Sequence, residues 1–388
     1  MPYEVVCTEG QYSLRRARGI WANLLYDVLK ENPSKFVWVG YSGCYVPPGD
    51  QEHVREILKK VNCLPVFLEP DILDKHLKFC NGVLRSSLHN IIEYSDDPSL
   101  WQAYKEVNII FTVAILEVQK RHRIWIHDYH LLLTPEFLSR KTREVLNIGV
   151  FMHSPFPSSE IFKALPNNQA ILYGLCCCDL IGFHCFEYSR HFVGCCKRII
   201  GVEIEFSHGG YLSLSFSGRN ILLRSCHIGI EPKLYQKPMV DFNGDKKVFL
   251  GVDSLSYLSG MHLKFNAFRE IARDISKDVQ LRQIITTAKR PEGTILEDLF
   301  ALQSEINAEF GFELIKIELK DVTTEERIAL MEDSLALINT SIRDGMCLLP
   351  FEYILIKNTP LIILSEFAGA SRAFNSPFRV NPFSVLNK

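Results

Sequence analysis

The sequence has no apolar run long enough to cross a membrane and no marked excess of charge. No stretch approaches the roughly 18 consecutive apolar residues of a membrane-spanning helix. The formal net charge of -2 provides no broad basic field for nucleic acid or an anionic membrane. Residues 1–10 lack the apolar core of a secretory signal. These absences predict a cytoplasmic protein with neither nucleic acid nor membrane as its partner.

Cysteine pairs of the C-x-x-C type are also absent, although the chain contains 12 cysteines. Three of them are consecutive, Cys176, Cys177 and Cys178, and such neighbours do not all pair in normal disulfide geometry. The pattern favours reduced, mostly buried thiols over a disulfide framework or a metal site.

Length and composition favour two ordered domains. A chain of 388 residues is too long for one ordinary hydrophobic core. Hydrophobic residues make up 47% and charged residues 23%, as in ordinary globular proteins. Turn-forming Glu-Pro, Lys-Pro and Asn-Gly pairs cluster in 231–244 and predict a boundary there. The predicted domains are 1–236 and 237–388.

Short apolar runs recur along the chain, and a longer amphipathic stretch follows each of them. This alternation predicts βαβ units with buried parallel strands, and hence a doubly wound α/β fold. The predicted strands are 36–40, 123–127, 148–153, 179–184, 247–253, 283–287, 312–319, 335–340 and 361–365. A stripe at helical spacing, from Met261 to Ile275, predicts a helix packed on the second sheet.

Polar side chains lie at the ends of four predicted strands. They are Asp128, His153, His184 and Asp253. Ligands of open α/β sheets bind at the carboxyl ends of the strands, so chemistry is expected at these residues.

Two segments carry a more specific signal. Residues 125–131 have the sequence Trp-Ile-His-Asp-Tyr-His-Leu, and 151–160 have Phe-Met-His-Ser-Pro-Phe-Pro-Ser-Ser-Glu. With further motifs at 179–184, 189–192, 228–230, 251–253, 343–346 and 365–370, the chain resembles the trehalose-6-phosphate synthase family. Members of that family are retaining glycosyltransferases that join UDP-glucose to glucose 6-phosphate. The resemblance covers nearly the whole chain.

The resemblance implies two Rossmann-like domains of the GT-B type. It also implies that the acceptor binds the N-terminal domain and the nucleotide sugar binds the C-terminal one. No metal and no cofactor is expected, with UDP-glucose as the donor substrate of an active member. Without a metal, cationic side chains and helix N-termini must stabilise the leaving diphosphate.

Five residues match the family's site by position. Asp128 corresponds to the aspartate that contacts the transferred glucose and the acceptor, and His153 to the histidine near the reacting carbon. We predict both as catalytic, although an aspartate here can also cap a helix and such a histidine can be a core group. Asp344 and Gly345 correspond to the loop that meets the donor glucose. Glu352 corresponds to the glutamate that holds the ribose hydroxyls.

The family's two diphosphate-binding cations are replaced in this chain. After Gly-Val-Asp at 251–253 the family has an arginine, and five residues later a lysine before a glycine. Here these positions are Ser254 and Ser259, and Gly260 is retained. Serine donates a hydrogen bond to a phosphate but does not neutralise its charge. We predict weakened stabilisation of the leaving group.

The acceptor side and the donor loop also depart from the family. A tyrosine and a tryptophan of the family correspond to His76 and Arg85, and Arg85 is a candidate for binding the acceptor phosphate. Arg290 is a second candidate, with a looser match. The glycine pair of the donor loop is reduced to Gly19. Arg15, Arg16 and Arg18 either supply replacement cations or, as we expect, form a solvated basic loop.

Both termini are shorter than the family pattern. The family's first strand, which ends in an arginine that contacts acceptor phosphate, precedes the position of Met1. The helices that close the C-terminal domain follow the position of Phe383. We expect either that a partner covers the resulting apolar surface or that the sequence is part of a longer product.

Three functions fit these observations. The first, which the lost cations favour, is a catalytically impaired regulatory subunit of a trehalose-synthesising complex, with other subunits or further copies of itself as partners. The second is an active synthase in which Arg18, Arg85 or Arg290 replaces the lost charge. The third is a sugar-phosphate or nucleotide sensor anchored by Asp344 and Glu352.

Overall fold

The protein divides into two compact units, Met1–Cys226 and His227–Lys388, called here the N-terminal unit and the C-terminal unit. The predicted domain boundary lies in 236–238, outside the described residues. A computed structural model describes residues 1–8, 10–17, 36–93, 95–118, 123–144, 146–207, 211–235, 239–242, 246–274, 278–286, 294–375 and 377–384.

A six-stranded sheet forms the centre of the N-terminal unit, with strand order β5-β6-β7-β10-β9-β8. The described strands of this unit are β1 (Tyr3–Thr8), β2 (Gln11–Arg16), β3 (Trp38–Tyr41), β4 (Cys63–Val66), β5 (Arg123–His127), β6 (Asn147–Met152), β7 (Leu180–Phe183), β8 (Glu203–Ser207), β9 (Tyr211–Phe216) and β10 (Arg219–Ser225). β5, β6, β7 and β10 are parallel, whereas β9 runs antiparallel to β8 and β10. The β1-β2 hairpin and the parallel β3-β4 pair are separate sheets.

The predicted strands at 123–127, 148–153 and 179–184 are confirmed as β5, β6 and β7, with each end within one residue. The strands β8 to β10 were not predicted. β9 alternates apolar and polar residues, which suits an antiparallel strand and differs from the continuous apolar runs of the parallel ones.

Helices pack around this sheet, and the turn after β6 is anchored by aromatic rings. The rings of Phe156, Phe162, Phe183 and Phe192 are fully buried, with the centroids of neighbouring pairs 5.1 to 6.0 Å apart. The described helices are Gln51–Lys59, Pro70–Lys78, Arg85–Leu88, Pro98–Val118, Thr134–Lys141, Ser159–Lys163, Asn168–Leu175 and Phe186–Cys195. The cluster ties the segment after His153 to β7 and to the helix Phe186–Cys195.

The C-terminal unit contains one six-stranded parallel sheet of order β13-β12-β11-β14-β15-β16. Its described strands are β11 (Lys247–Ser254), β12 (Val279–Thr286), β13 (Ile315–Leu319), β14 (Ala336–Asn339), β15 (Leu361–Ser365) and β16 (Phe378–Val380). Its described helices are Met261–Ala272, Ile295–Phe310, Thr324–Glu332 and Leu349–Ile356. A doubly wound α/β fold is confirmed for both units.

Two predicted strand starts in this unit were wrong. β12 begins at Val279, four residues before the prediction, because Gln280 and Arg282 interrupt its apolar pattern. β13 begins at Ile315, three residues after the prediction, since Gly311 ends the preceding helix with φ 69° and the next residues form a turn.

The predicted helical stripe is confirmed where it is described. Met261, Phe265, Phe268 and Ala272 are buried on one face of the helix Met261–Ala272, and they pack on β12. Ile275, the last residue of the stripe, lies outside the described residues.

All 12 cysteines are free thiols, and seven of them are buried, so the prediction of mostly buried thiols is confirmed. Within the part of the chain that the structure describes, none of the helices combines the length and apolar character needed to cross a membrane.

Candidate functional site

Three adjacent parallel strands bring polar side chains to one edge of the N-terminal sheet. Asp128, His153 and His184 directly follow the last residues of β5, β6 and β7. The Asp128 N–H donates to the carbonyl oxygen of Phe151 at 2.8 Å, which ties the end of β5 to β6. The structure therefore brings the two residues predicted as catalytic, Asp128 and His153, to one place.

Asp128 has an unusual backbone and an unusual carboxyl group. Its φ of 59° and ψ of -163° are rare for a residue with a side chain. Its Oδ1 accepts from the Ser154 N–H at 3.0 Å, and its Oδ2 from the Ser154 hydroxyl at 3.2 Å. The residue keeps some surface, but its carboxyl group is enclosed, and burial raises the pKa to about 6 against these hydrogen bonds. Both features are typical of functional sites.

Three imidazole rings lie together at the same edge. His127 Nδ1 and His153 Nε2 are 3.0 Å apart, and the ring of His184 lies 5.4 Å from that of His153. A hydrogen bond between two ring nitrogens needs one of them unprotonated. Burial lowers the pKa of His127 to about 4 and that of His153 to about 3, and the two neighbouring rings add to the effect on His153. A neutral His153 is suited to hydrogen bonding with a sugar hydroxyl.

The two residues that depart from the family on the acceptor side, Arg85 and His76, differ in how their polar groups are used. Among the described residues, no carboxylate forms an ion pair with the half-buried Arg85 guanidinium. Burial raises the pKa of the Tyr129 phenol, and the nearby Arg85 opposes this. His76 is buried, with its ring stacked on Tyr104 at 5.5 Å and its Nε2 3.5 Å from Cys80 Sγ. Arg85 offers a cation, whereas His76 is a packing residue.

The end of β11 in the C-terminal unit carries a buried ion pair. Lys264 Nζ lies 2.6 Å from Asp253 Oδ2 and 2.9 Å from Gln283 Oε1. The side chains of Lys264 and Asp253 are 1% and 5% exposed. Gln283 Nε2 also donates to Asp253 Oδ2, at 3.0 Å. Since Asp253 already neutralises Lys264, this lysine does not replace the cations absent at Ser254 and Ser259.

The Ser254–Ser259 loop is held by hydrogen bonds to hydroxyl and backbone groups. The Ser259 hydroxyl donates to the Ser254 carbonyl oxygen at 2.7 Å. Gly260, with φ 64°, begins the following helix, and Thr340 Oγ1 donates to its carbonyl oxygen at 3.1 Å. Across the described part of the chain, neither serine forms a hydrogen bond with a cationic side chain. The loop keeps a defined shape without positive charge.

The predicted donor residues Asp344 and Gly345 lie in a loop that is fixed against the turn after β15. Asp344 forms a parallel bridge with Ala368, and its carbonyl oxygen accepts from the Gly369 N–H at 3.2 Å. A Cβ at Gly369 would lie 1.9 Å from the Gly345 carbonyl oxygen, so this close approach requires glycine. The loop leads into the helix Leu349–Ile356, which carries Glu352 in its first turn.

Glu352, predicted to hold the ribose, forms a buried ion pair with Arg327. Arg327 Nε and Nη2 donate to Glu352 Oε2 and Oε1 at 2.5 and 2.9 Å. The side chains are 14% and 6% exposed. Arg327 lies on the helix Thr324–Glu332, whose first turn is fixed by a capping box between Thr323 and Glu326. Sequence reasoning missed Arg327, since no local motif links it to a residue 25 positions further on.

Several predicted residues lie outside the described residues, namely Gly19, Arg290 and Arg18. The expectation of a basic loop at Arg15 and Arg16 was wrong, because both belong to the strand β2. Arg15 pairs with Glu4 across the hairpin at 3.2 Å. Sequence reasoning also missed Ser154, the partner of Asp128, although it stands in the motif at 151–160.

The two doubly wound units define a class of protein, the two-domain glycosyltransferases of the GT-B type. A trehalose-phosphate synthase from Burkholderia xenovorans, solved with glucose-6-phosphate, has the same fold with a TM-score of 0.83 at 24% identity, over 99% of this chain and 89% of that one. The N-terminal domain of Candida albicans trehalose-6-phosphate phosphatase gives 0.80 at 26% identity, over 90% of this chain and 79% of that one.

The model of glycosyltransferase family 20 matches residues 7–387. An Aspergillus niger protein named alpha,alpha-trehalose-phosphate synthase [UDP-forming] 1 is 34% identical over 407 residues, which cover 97% of this chain and 77% of the relative. The chain belongs to glycosyltransferase family 20, the trehalose-phosphate synthase family.

Proposed function

We propose that the chain is a catalytically impaired member of its family that retains binding of UDP-glucose and glucose 6-phosphate and regulates trehalose synthesis. The observation that carries the proposal is the loop of Ser254 and Ser259, where the family pattern has two cations. The Ser259 hydroxyl is already bound to a carbonyl oxygen of this loop. We further propose that the protein works in the cytoplasm without a metal or other cofactor.

The physical reason is the charge of the leaving diphosphate. Removing one preorganised group that stabilises developing charge typically costs two to three decades in rate, or about 3 to 4 kcal/mol. Serine hydroxyls give weaker, neutral hydrogen bonds. Lys264, the buried lysine nearest in sequence, is neutralised by Asp253 at 2.6 Å. A slow transfer step with retained substrate binding is therefore expected.

The comparisons support the family's substrates and leave room for a role without turnover. The Aspergillus niger relative is named for UDP formation. The fold also occurs in the N-terminal domain of a trehalose-6-phosphate phosphatase, which is not named a synthase. A subunit of this fold that acts through binding is consistent with both.

The experiment that tests the proposal measures UDP release from UDP-glucose and glucose 6-phosphate. The double variant Ser254→Arg, Ser259→Lys should turn over at least about a hundredfold faster than the wild type. A matched control, Ser304→Lys, adds a cation to an exposed helix position and should change nothing. Robust turnover by the wild type would exclude the impaired function.

The regulatory part of the proposal needs a separate measurement. The wild-type chain, added to an active synthase subunit from the same cells, should form a complex in size-exclusion chromatography and change the rate of that subunit. If the chain elutes alone or as copies of itself, and the rate does not change, then the regulatory role is wrong.

A second candidate is an active synthase, and the state of Arg85 favours it. Arg85 is a cation without a carboxylate partner among the described residues, next to Tyr129. The edge with Asp128 and His153 also keeps its hydrogen-bonded arrangement. This candidate predicts wild-type turnover that Arg85→Met abolishes.

A further inference from the structure

The ion pair between Arg327 and Glu352 suggests how the nucleotide is recognised. We infer that Arg327 is a positioning residue, which fixes the Glu352 carboxylate so that its remaining acceptor positions bind the ribose hydroxyls of UDP. The inference rests on the proposed function, because it assumes that the C-terminal unit binds UDP. It concerns a residue that does not itself contact the ligand.

The geometry of the pair restricts the carboxylate in both position and rotation. Two guanidinium nitrogens of Arg327 donate to the two separate oxygens of Glu352. A bidentate contact of this kind fixes the plane of the carboxylate as well as its place. Each partner lies on a helix, Arg327 on Thr324–Glu332 and Glu352 on Leu349–Ile356. The carboxylate is therefore held by two rigid elements before any ligand arrives.

The Glu352 carboxylate has hydrogen-bond acceptor positions that Arg327 does not use. An ionised carboxylate has about four acceptor positions, and Arg327 uses two of them. The phenol of Tyr235 adjoins the pair, and burial together with Glu352 raises the pKa of this phenol. About two acceptor positions then remain for ribose. Recognition of UDP should therefore depend on a ribose hydroxyl that donates to one of these positions.

A second arginine–glutamate ion pair in the same unit, between Arg282 and Glu318, is an example of a mainly structural contact. Arg282 Nε donates to Glu318 Oε1 at 2.6 Å, and Arg282 Nη2 lies 3.3 Å from Oε2. Two lysines, Lys316 and Lys320, also lie within 4 Å of Glu318. Glu318 thus keeps cationic partners when Arg282 is removed. In the described residues Glu352 has Arg327 as its single cationic partner, so it depends on that residue.

The test compares the affinities of UDP, 2′-deoxy-UDP and 3′-deoxy-UDP by isothermal titration calorimetry. In the wild type, one deoxy analogue should bind about tenfold or more weakly than UDP, as expected for loss of one hydrogen bond to a charged group. The ratio to compare is the affinity of UDP divided by that of this deoxy analogue. In Arg327→Leu this ratio should fall to about one, and UDP itself should bind more weakly. A merely structural role of Arg327 would weaken all three ligands equally and preserve the ratio.

Two further variants keep the test decisive. Arg327→Lys retains the charge without the bidentate geometry, so its ratio should lie between one and the wild-type value. This variant also provides the test if Arg327→Leu fails to fold. The control Arg282→Leu removes the comparable pair with Glu318 and should preserve the wild-type ratio.

The outcomes separate this inference from the function on which it rests. If the wild type does not bind UDP, then the proposed function is wrong and the inference falls with it. If the wild type binds UDP without discriminating against either deoxy analogue, or if the Arg327 variants keep the wild-type ratio, then only the inference is wrong.

Discussion

The edge of the N-terminal sheet and the end of β11 in the C-terminal unit differ in the charge state of their ionisable side chains. The N-terminal edge holds Asp128 and His153 in an enclosed place where their pKa values are strongly shifted. At β11, Lys264 and Asp253 neutralise each other, and the adjoining loop contains serines that bind its own backbone. The N-terminal edge thus holds ionisable side chains with shifted pKa values, whereas the loop after β11 is held by neutral hydrogen bonds. The loop therefore holds its shape without a cation at Ser254 or Ser259.

The largest expected effect tests whether the C-terminal unit depends on the shape of this loop. In Gly260→Ala the new Cβ would lie 2.2 Å from the Thr340 carbonyl oxygen, at a φ of 64°. Crowding and the left-handed backbone together should destabilise the unit by about 4 kcal/mol. Faster hydrogen exchange of the β11 amides in mass spectrometry would measure the loss.

A matched control separates crowding from backbone conformation. Gly311 has a similar φ of 69°, but a Cβ there meets nothing within 4 Å. Gly311→Ala should therefore destabilise the unit by only about 1 kcal/mol. Equal losses in the two variants would show that the loop tolerates a change of shape, and the comparison of the two edges would fail.

The sequence predicts the scaffold of both edges better than their electrostatics. Continuous apolar runs predict β5, β6 and β7 because parallel strands are buried on both faces. The start of β12 escapes prediction, since Gln280 and Arg282 interrupt its apolar run. Their partners Glu313 and Glu318 are brought near only by the tertiary structure. Patterns along the chain report burial, whereas contacts across the sheet do not appear in them.

The second prediction concerns the pH dependence of the N-terminal unit through Asp128. Burial raises the pKa of Asp128 from 3.8 to about 6, so the folded state binds a proton more readily than the unfolded chain. This contribution to stability is present below about pH 4 and is lost as the pH rises through about 6. Asp128→Asn removes it. From pH 4 to 7 the variant should gain up to about 3 kcal/mol relative to the wild type.

Urea unfolding followed by tryptophan fluorescence at several pH values measures this difference. The control Asp74→Asn removes an exposed carboxylate that pairs with Lys78 at 2.8 Å. Its effect should stay below about 0.5 kcal/mol at every pH. A constant difference between wild type and Asp128→Asn would mean that the carboxyl group of Asp128 is not enclosed.

The third prediction concerns His127, where burial shifts the pKa downwards and stability depends on pH in the opposite direction. Burial lowers the pKa of His127 to about 4, so the unfolded chain binds a proton more readily than the folded one. Stability is fully present above about pH 6.5 and is lost as the pH falls towards 4. His127→Phe should reduce this acid sensitivity by about 2 kcal/mol, a value discounted for the partial exposure of the ring. The midpoint of acid unfolding should move to lower pH.

The exposed His53 provides the control for this variant. His53→Phe should leave the midpoint of acid unfolding in place. An unchanged midpoint in His127→Phe would contradict the enclosed histidine pair, and with it the difference between the two edges.

Prediction from the sequence is also uneven within the candidate site. Asp128 and His153 are found from motifs because both stand beside strand ends that are themselves predictable. The strained φ of Asp128 and its bonds to Ser154 depend on the packing of β5 against β6. The pairing of Glu352 with Arg327 joins two helices that are separate in the sequence. Places beside strand ends are thus predictable from the sequence, whereas the partners of the side chains there are not.

The smallest expected effect concerns Arg85, the cation that distinguishes the N-terminal unit from the neutral loop of the C-terminal one. Arg85 has no carboxylate partner in the described part of the chain, so Arg85→Met should change stability by less than about 0.5 kcal/mol. Loss of a cation that binds phosphate should weaken glucose 6-phosphate about tenfold, or about 1.4 kcal/mol. Affinity for glucose, which lacks the phosphate, should stay the same.

Calorimetric titration with glucose 6-phosphate and with glucose measures the role of Arg85. A variant of a surface arginine that has a carboxylate partner serves as the control. Arg140, which is 73% exposed, pairs with Glu136 one helical turn away, and Arg140→Met should affect neither sugar. Weakening of both sugars by Arg85→Met would indicate a distorted pocket rather than a lost phosphate contact. An unchanged affinity for glucose 6-phosphate would remove Arg85 from the acceptor site. The N-terminal edge would then be as poor in cations for its ligand as the loop of Ser254 and Ser259, and the second candidate, an active synthase, would lose the observation that favours it.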